Sequence, residues 1–208
     1  VTNVDKEHME FYKSFDNLKK SFLKFLNKTP LIGKSFVCID DYEINKLMKK
    51  VKNRNFYTYG FSKKADFQAF NIKYKKKYSV FDLRLPLRGP KKTIVKNIKL
   101  NLIGAHNVLN SLAAVSLCLH IGIKMNVIKK SLKRFSGIQR RLTKVFQVNK
   151  REFYDDYAHH PTEIKSVLKS FKITSNKRKI ISVFQPHRYS RLRLLNKNFS
   201  SSFKDSDL

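Results

Sequence analysis

The 208-residue sequence lacks tryptophan and is poor in cysteine, proline and glycine, with two, five and six residues respectively. The low glycine and proline content excludes collagen-like and linker-like chains. No run of about 18 apolar residues occurs, so no membrane span is predicted. The opening residues, VTNVDKEH, lack the basic-then-apolar pattern of a signal peptide. Because Cys38 and Cys118 both lie in apolar runs, we expect reduced core thiols in a cytoplasmic protein.

Acidic residues are scarce as well: 15 Asp and Glu face 45 Lys and Arg, which gives a net charge of +30. Such a charge raises the hypothesis of nucleic-acid binding. The lysines are spread through every segment, however, and diffuse charge supports only non-specific, salt-sensitive binding. We therefore interpret the charge as compositional bias on a solvated surface and expect no specific nucleic-acid partner. Seventeen Phe and nine Tyr supply core material and exclude wholesale disorder.

Hydrophobic periodicity predicts an α/β fold for the first two thirds of the chain. Apolar residues recur at helical spacing from Phe15 to Leu26 and from Gly104 to Ile121. Period-two alternation between Asp66 and Val80, interrupted by a basic turn, predicts a β-hairpin. Further strands are predicted at 34–39, 56–59 and 93–102, and further helices at 41–51 and after a capping Asn126.

A glycine-containing basic stretch, SGIQRRL, marks the predicted domain boundary, which divides the chain into 1–139 and 140–208. Beyond it we predict a βαβα pattern, with strands at 146–148 and 152–156 and a helix that begins at Pro161. A near-continuous apolar run at 179–184 is typical of a strand in a parallel sheet.

The final segment, 190–208, has Leu192, Leu195, Phe199 and Phe203 at helical spacing and then stops. We expect this helix to leave its apolar face uncovered. Together with the absence of an initiator methionine, this suggests that the chain is part of a longer protein.

Polar residues follow two of the predicted strands, in the stretches DDYAHHP and QPHRYSR. Ligands bind outside the carboxyl ends of strands in open α/β sheets, so these side chains are predicted at one rim. Arginine pairs bind carboxylates and phosphates, and an imidazole can act as a base. The alternative is that His159 and His160 cap a helix and that Arg188 and Arg191 are ordinary surface residues.

Asn107 and Asn110 lie three residues apart at the predicted start of a helix. Their amides carry both donors and acceptors, which suits the edge of a nucleobase, although helix caps and buried amides are commoner roles. Arg141 lies at the predicted domain joint, where it either reaches a ligand held between domains or is an exposed linker residue.

His8, beside two acidic residues, is a candidate ligand for a divalent metal, although one histidine near acids is not a metal motif. No phosphate-binding GxxxxGK[ST] sequence occurs, and Gly33-Lys34-Ser35 lacks the upstream glycine that such a loop requires.

Five stretches together closely resemble the Mur ligase family: TNVDKEHMEFY, GAHNVLNSLAAV, FSGIQRRL, DDYAHHPTEI and VFQPHRYSR. DDYAHHP is similar to the alanine-adding and muropeptide-adding members, and FQPHRYSR favours the alanine-adding ones. The resemblance implies the C-terminal part of a central ATPase domain followed by the start of a Rossmann-like C-terminal domain. The family's N-terminal UDP-sugar domain, its P-loop and its Mg²⁺-binding glutamate would precede this chain.

The resemblance also implies an ATP- and Mg²⁺-dependent reaction in peptidoglycan precursor synthesis, with UDP-N-acetylmuramate and L-alanine as substrates. The sugar-acid carboxylate would take the γ-phosphate of ATP, and the amine of alanine would attack the resulting acyl phosphate. Because the P-loop is absent from this sequence, we predict that the purified chain alone shows no alanine-dependent ATP hydrolysis.

The family's site residues can be carried over position by position. His8 would bind Mg²⁺, and His106, Asn107 and Asn110 would bind the adenine of ATP. Arg141 and Asp156 would approach ATP, and together with His159 they would be catalytic. The amino-acid site would be lined by Tyr157, His159, Arg188 and Arg191.

Two alternatives stay open at this point. One is the muropeptide ligase of the same family, which joins a tripeptide to the sugar acid. The other, from a different class, is a basic nucleic-acid-binding protein.

Overall fold

The computed structural model describes residues 1–52, 55–86, 93–175 and 178–208. Its first part contains a five-stranded sheet with the strand order β1-β2-β3-β4-β5. The strands are β1 (Ser35–Cys38), β2 (Phe56–Gly60), β3 (Phe67–Tyr74), β4 (Ser79–Arg84) and β5 (Ile94–Leu100). β1, β2 and β3 run parallel, whereas β3, β4 and β5 pair antiparallel. The sheet thus confirms the predicted α/β fold with an antiparallel hairpin.

Five helices accompany this sheet: α1 (Met9–Tyr12), α2 (Phe15–Asn27), α3 (Tyr42–Met48), α4 (Ala105–His120) and α5 (Met125–Arg134). Side-chain caps fix where two of them begin. Ser14 accepts a hydrogen bond from the backbone N–H of Asn17 at 3.1 Å, and Asp41 accepts one from that of Ile44 at 2.8 Å. The predicted cap Asn126 is wrong, because α5 begins one residue earlier and Asn126 lies inside its first turn.

The core of the first part lies between the sheet and α4, which contacts β1, β2 and β3. Val37, Phe81 and Leu112 are fully buried there. α2 adds Leu18 and Leu26, but Phe25 is 64% exposed, although its spacing had placed it on the same face. Cys38 is buried and Cys118 half-buried, and both thiols are free. Across the described ranges, no helix is long and apolar enough to cross a membrane.

The second part consists of β6 (Thr143–Val148), β7 (Arg151–Asp155), α6 (Pro161–Thr174) and α7 (Tyr189–Ser202). β6 and β7 form a two-stranded antiparallel hairpin, so the predicted strands exist but are not members of a parallel sheet. Pro161 is the first residue of α6, as predicted.

The predicted strand at 179–184 is not a strand in this structure. Its backbone groups bond to the last residues of the chain instead of a neighbouring strand. Ser182 N–H donates to the carbonyl of Leu208 at 2.8 Å, and Asp207 N–H donates to that of Ile180 at 2.8 Å. Val183 is 98% exposed, so the apolar composition of this run does not lead to burial here.

α6 and α7 pack against each other and bury Ile164, Leu168, Leu195 and Phe199. The expectation that the last helix leaves its apolar face uncovered is therefore wrong, because α6 covers that face. α7 is also kinked at Leu195, whose φ of −117° is not helical.

The two parts of the chain touch where α6 meets the start of α4. Gly104, the residue before α4, has a φ of +94°. A Cβ atom there would collide with the side chain of Ser170 on α6. Glycine at this position therefore allows both the turn into α4 and the close approach of α6.

Candidate functional site

Residues 5–10, which we call the acidic segment, lie against the beginnings of α6 and α7. Thr162, in the first turn of α6, donates its hydroxyl to Asp5 at 2.5 Å. Arg191, in the first turn of α7, donates from Nη2 to Oε1 of Glu7. These contacts join residues more than 150 positions apart and place the acidic segment at the junction of the two parts.

Glu10 extends the same junction. Its carboxylate accepts a hydrogen bond from the hydroxyl of Ser190, and its Oε2 lies 3.7 Å from Nη1 of Arg188. The hydrogen bond from Ser190, followed by weaker effects that include the charge of Arg188, lowers the pKa of Glu10. Because carboxylates are favoured at helix N-termini, the acidic segment fits the positive ends of two helices at once.

His160 caps α6, as one of the alternatives from the sequence had it. Its Nδ1 accepts from the backbone N–H of Thr162 at 3.4 Å, and the carboxylate of Glu163 accepts from the backbone N–H of His160 at 3.3 Å. Nε2 of His160 is buried and lies 3.9 Å from Oε2 of Glu7. His160 therefore faces the acidic segment as well as its own helix.

His159 sits on the other side of the same loop. Its Nδ1 lies 2.9 Å from the carbonyl oxygen of Tyr157 and 3.7 Å from Oε2 of Glu163. Both neighbours are acceptors, so these contacts favour the neutral tautomer that has its proton on Nδ1 and its lone pair on Nε2. The ring packs edge-on against Tyr157, whose own ring is 4.9 Å from the guanidinium of Arg140.

A second cluster surrounds the start of α4. Burial lowers the pKa of His106, and the charges of Asp156 and Arg141 act on the same imidazole in opposite directions. His106 of the first part is thus close enough to Asp156 and Arg141 of the second part for their charges to affect its imidazole. The Asn107 amide donates to the carbonyl of Ile103 at 2.8 Å, whereas Asn110 is exposed.

Two residues of this cluster already have protein partners. Asp156 accepts from the backbone N–H groups of Leu142 and Ala158, both at 2.7 Å. Arg141 lies 3.5 Å from Oε1 of Glu163. Burial acts to raise the pKa of Glu163, but the N–H of His159 and the charge of Arg141 outweigh it, and the pKa is lowered. Arg141 and His159 therefore converge on one ionised carboxylate.

No complete set of metal ligands surrounds His8 among the residues that the structure describes. Its side chain is exposed, and its backbone is left-handed with a φ of +56°. No group of three or more His, Cys, Asp and Glu side chains is arranged to hold a metal in the part of the chain that the structure describes. Mg²⁺ requires near-octahedral oxygen ligands, which one exposed imidazole does not supply. The residues present do not fit a complete magnesium site.

The structure thus brings the predicted residues into two clusters along one junction. His106, Arg141 and Asp156 form one cluster, and Arg188 and Arg191 belong to the other. The predicted reason is wrong, because the polar groups lie at helix starts and beside a hairpin rather than at the ends of parallel strands. Glu7, Glu10 and Glu163 were not among the predicted site residues, although Glu163 stands three residues after His160, at capping-box spacing.

Comparison with known proteins identifies the family. The profile of the Mur ligase middle domain matches residues 1–118, which is more than half of the chain. The profile of the Mur ligase glutamate ligase domain matches residues 140–206. The chain belongs to the Mur ligase family. The α/β fold of this Mur ligase chain is therefore that of the family's middle and C-terminal domains.

Individual relatives agree. The UDP-N-acetylmuramate–L-alanine ligase of Pelagibacter ubique is 50% identical over 208 residues, which is 100% of this chain and 45% of that protein. The enzyme of the same name from Roseobacter denitrificans is 40% identical over 100% of this chain and 44% of its own length. The Mur ligase chain thus spans slightly less than half the length of these curated relatives.

A solved structure supports the same assignment. The UDP-N-acetylmuramate-alanine ligase of Thermotoga maritima superimposes with a TM-score of 0.73 at 26% sequence identity. The match covers 99% of the Mur ligase chain and 43% of the Thermotoga chain. Both matched domains therefore take part in the likeness.

Proposed function

We propose that this Mur ligase chain belongs to an ATP-dependent enzyme that joins L-alanine to UDP-N-acetylmuramate during cytoplasmic synthesis of peptidoglycan precursors. The observation that carries the proposal is the junction. The start of α4, with Gly104, packs against α6 of the second part, and the acidic segment contacts Arg188 and Arg191. The charges of Arg141 and Asp156 also act on His106 at that helix start. The names of the relatives supply the substrates.

The reaction would run in two steps. The γ-phosphoryl group of ATP is transferred to the sugar-acid carboxylate, which gives an acyl phosphate and ADP. The alanine nitrogen then attacks the acyl carbon, the bond from carbon to the phosphate oxygen breaks, and phosphate leaves. The nitrogen loses a proton to a base.

The adenine would bind at the start of α4, where Asn107 and Asn110 offer amide donors and acceptors beside His106. Arg141 and Asp156 would approach the nucleotide from the second part. Since Arg141 lies 3.5 Å from Glu163, its guanidinium would leave that carboxylate to reach a phosphate. Positive charge at the phosphates offsets the charge that develops during transfer.

The amino acid would bind between the two parts. Arg188 and Arg191 would hold its carboxylate, and Tyr157 and His159 would line the site. His159 suits the role of base, because the contacts of Nδ1 leave a lone pair on Nε2. Mg²⁺ is proposed for the enzyme on family grounds only, with His8 as a ligand, and no step is derived through it.

We also propose that the chain divides between residues 139 and 140 into an ATP-binding and an amino-acid-binding domain. The sheet part ends with α5 at Arg134, and the hairpin begins at Thr143. The Mur ligase N-terminal domain would be a partner of this junction within the same enzyme.

The test uses the enzyme expressed from the gene that encodes this chain, with its flanking coding sequence. ADP release is measured with UDP-N-acetylmuramate and a panel of amino donors. We expect turnover with L-alanine. Turnover with a tripeptide alone would show a muropeptide ligase. No ligase turnover, combined with sequence-dependent DNA or RNA binding in moderate salt, would favour the nucleic-acid alternative.

Two substitutions assign the subsites. Arg191→Ala is expected to raise the KM for L-alanine by about 10-fold or more and the KM for ATP by less than about 2-fold. Asn107→Ala is expected to do the reverse. Arg193→Ala, on an exposed position of the same helix as Arg191, serves as the control. Equal effects of Arg191→Ala on both substrates would refute the carboxylate-binding role.

A further inference from the structure

Arg191 is a buried arginine at the junction, with a side chain only 8% exposed. Nη1 of Arg191 donates to the carbonyl oxygen of His187 at 3.1 Å, and Nη2 donates to Glu7. A ligand carboxylate that binds both terminal nitrogens of a guanidinium needs a free N–H on each, aligned in parallel. Each of these nitrogens carries two N–H groups, and on each nitrogen one N–H already serves an acceptor of the protein itself.

The space beside Arg191 is also narrow. The crevice lined by Glu7, Glu10, Ser190, Arg191 and neighbouring residues has a volume of about 40 Å³. A volume of that size holds a few water molecules at most. Movement of the Glu7 side chain would widen this crevice next to the guanidinium of Arg191.

Glu7 is the partner of Arg191 that can move away. Its side chain is 27% exposed, and it belongs to an irregular segment before a short helix. His187, in contrast, offers a backbone carbonyl from the loop that leads into the same helix as Arg191. A carboxylate from solution is chemically equivalent to the Glu7 side chain and can take over its hydrogen bond without leaving a buried charge unpaired.

We propose that Glu7 is a built-in competitor: in the ligand-free chain it occupies the guanidinium of Arg191 that the carboxylate of the incoming amino acid takes. This inference rests on the proposed function. Amino-acid binding then releases the Glu7 side chain from the start of α7 and loosens the acidic segment. By thermodynamic linkage, a change that weakens the contact between Glu7 and Arg191 increases the affinity for the amino acid by the same factor.

The contact with Glu7 is one of several that close the junction. Asp5 binds Thr162, and Glu10 binds Ser190 and lies 3.7 Å from Arg188. These contacts keep the acidic segment near both helices after Glu7 has been displaced. Glu7 therefore controls access to Arg191 rather than the attachment of the two parts.

The decisive variant is Glu7→Gln, which keeps the shape of the side chain and removes its charge. Asp16→Asn is the matched control, because Asp16 makes an ion pair with Lys19 inside α2, away from the junction. In the complete enzyme we expect Glu7→Gln to lower the KM for L-alanine by about 3- to 10-fold, as removal of a competitor does. Asp16→Asn is expected to leave that KM unchanged.

Hydrogen exchange provides a readout that does not depend on turnover. In the wild-type enzyme, saturating L-alanine is expected to speed the exchange of amides 9–13, whereas in Glu7→Gln exchange is fast without the amino acid. Slow exchange across α4 in both proteins verifies that the fold is intact. A higher KM for L-alanine in Glu7→Gln would overturn the competitor role and show that Glu7 positions Arg191 instead.

The two proposals fail in different ways. If the wild-type enzyme shows no alanine-dependent turnover, the proposed function fails, and the exchange rates of Glu7→Gln still report whether Glu7 holds the segment. If turnover is normal but Glu7→Gln changes neither the KM nor the exchange rates, the competitor role fails and the proposed function stands.

Discussion

The two parts of the chain differ in how they are held together. The first part buries a continuous core in which Phe81 and Leu112 are fully inaccessible. The second part has one small apolar cluster, in which Leu195 is 6% and Phe199 7% exposed. Its hairpin leaves Phe146 and Phe153 half exposed, stacked on each other with ring centroids 4.2 Å apart. We therefore expect the first part to be stabilised mainly by its own core, whereas the second part depends more on contacts across the junction.

The sharpest test of this comparison is a matched pair of core truncations. Phe81→Ala is expected to lower the free energy of unfolding by about 3–5 kcal/mol, since it leaves a cavity in a closed core. Phe199→Ala is expected to cost about 2 kcal/mol, because its smaller cluster relaxes and admits water. Urea denaturation followed by far-UV circular dichroism measures both. A larger loss for Phe199→Ala would reverse the comparison.

The contact between the two parts is tested by a pair of glycines. Gly104→Ala is expected to cost about 2–4 kcal/mol, because it combines strain at a positive φ with a collision against Ser170.

Gly122→Ala is the control, since Gly122 has a φ of +88° but open space around its Cα. It is expected to cost about 1 kcal/mol. The difference between the two variants, measured by thermal or urea unfolding, isolates the close approach of α6. Equal losses would mean that α6 moves aside freely.

The smallest expected effect lies within the second part, at Glu152. Hydrogen bonds from Lys144 at 3.0 Å and Arg178 at 2.8 Å lower the pKa of Glu152 to about 2 from an ordinary value of 4.5. A depressed pKa stabilises the folded form above the unfolded pKa, and this stabilisation is lost as the pH falls from about 4.5 to about 2.

Glu152→Gln is therefore expected to lower the free energy of unfolding by about 1 kcal/mol or less at pH 7, given that Lys144 and Arg178 are both partly exposed. The difference from wild type should shrink as the pH approaches 2. Denaturation curves at pH 7, 4 and 2.5 measure it. A difference that stays constant with pH would show that the ion pairs contribute nothing.

Helices and strands were predicted well from the sequence where a local pattern of residues determines them. The alternation around the basic turn predicted the hairpin of β3 and β4, and the apolar spacing from Gly104 to Ile121 predicted α4. The strand predicted at 179–184 is absent. An apolar run forms a strand only when another strand lies beside it, and none of the described residues forms such a neighbouring strand. The sequence pattern also misjudged Phe25, which is exposed although Leu26 beside it is buried, because the buried face of α2 is narrower than the run of apolar residues suggests.

The sequence indicated several residues of the candidate site but not how these residues are arranged. His159, Arg188 and Arg191 could be chosen from their chemistry and from the family resemblance, and their roles stay predictions. The partners Glu7 and Glu10 could not be chosen, because the contact of Glu7 with Arg191 joins positions 184 residues apart. No local pattern encodes such a separation; it depends on how two folded parts meet.

Asp156 also joins the two ends of the hairpin formed by β6 and β7. Its two carboxylate oxygens tie the entrance of the hairpin, at Leu142, to its exit, at Ala158. The N–H of Tyr157 donates to the carbonyl of Arg140 at 2.7 Å and reinforces the same closure. These hydrogen bonds connect the residues on either side of Arg141 to the loop that carries His159. If the second part rotated about the connection at 135–139, the guanidinium of Arg141 and the imidazole of His159 would therefore move together.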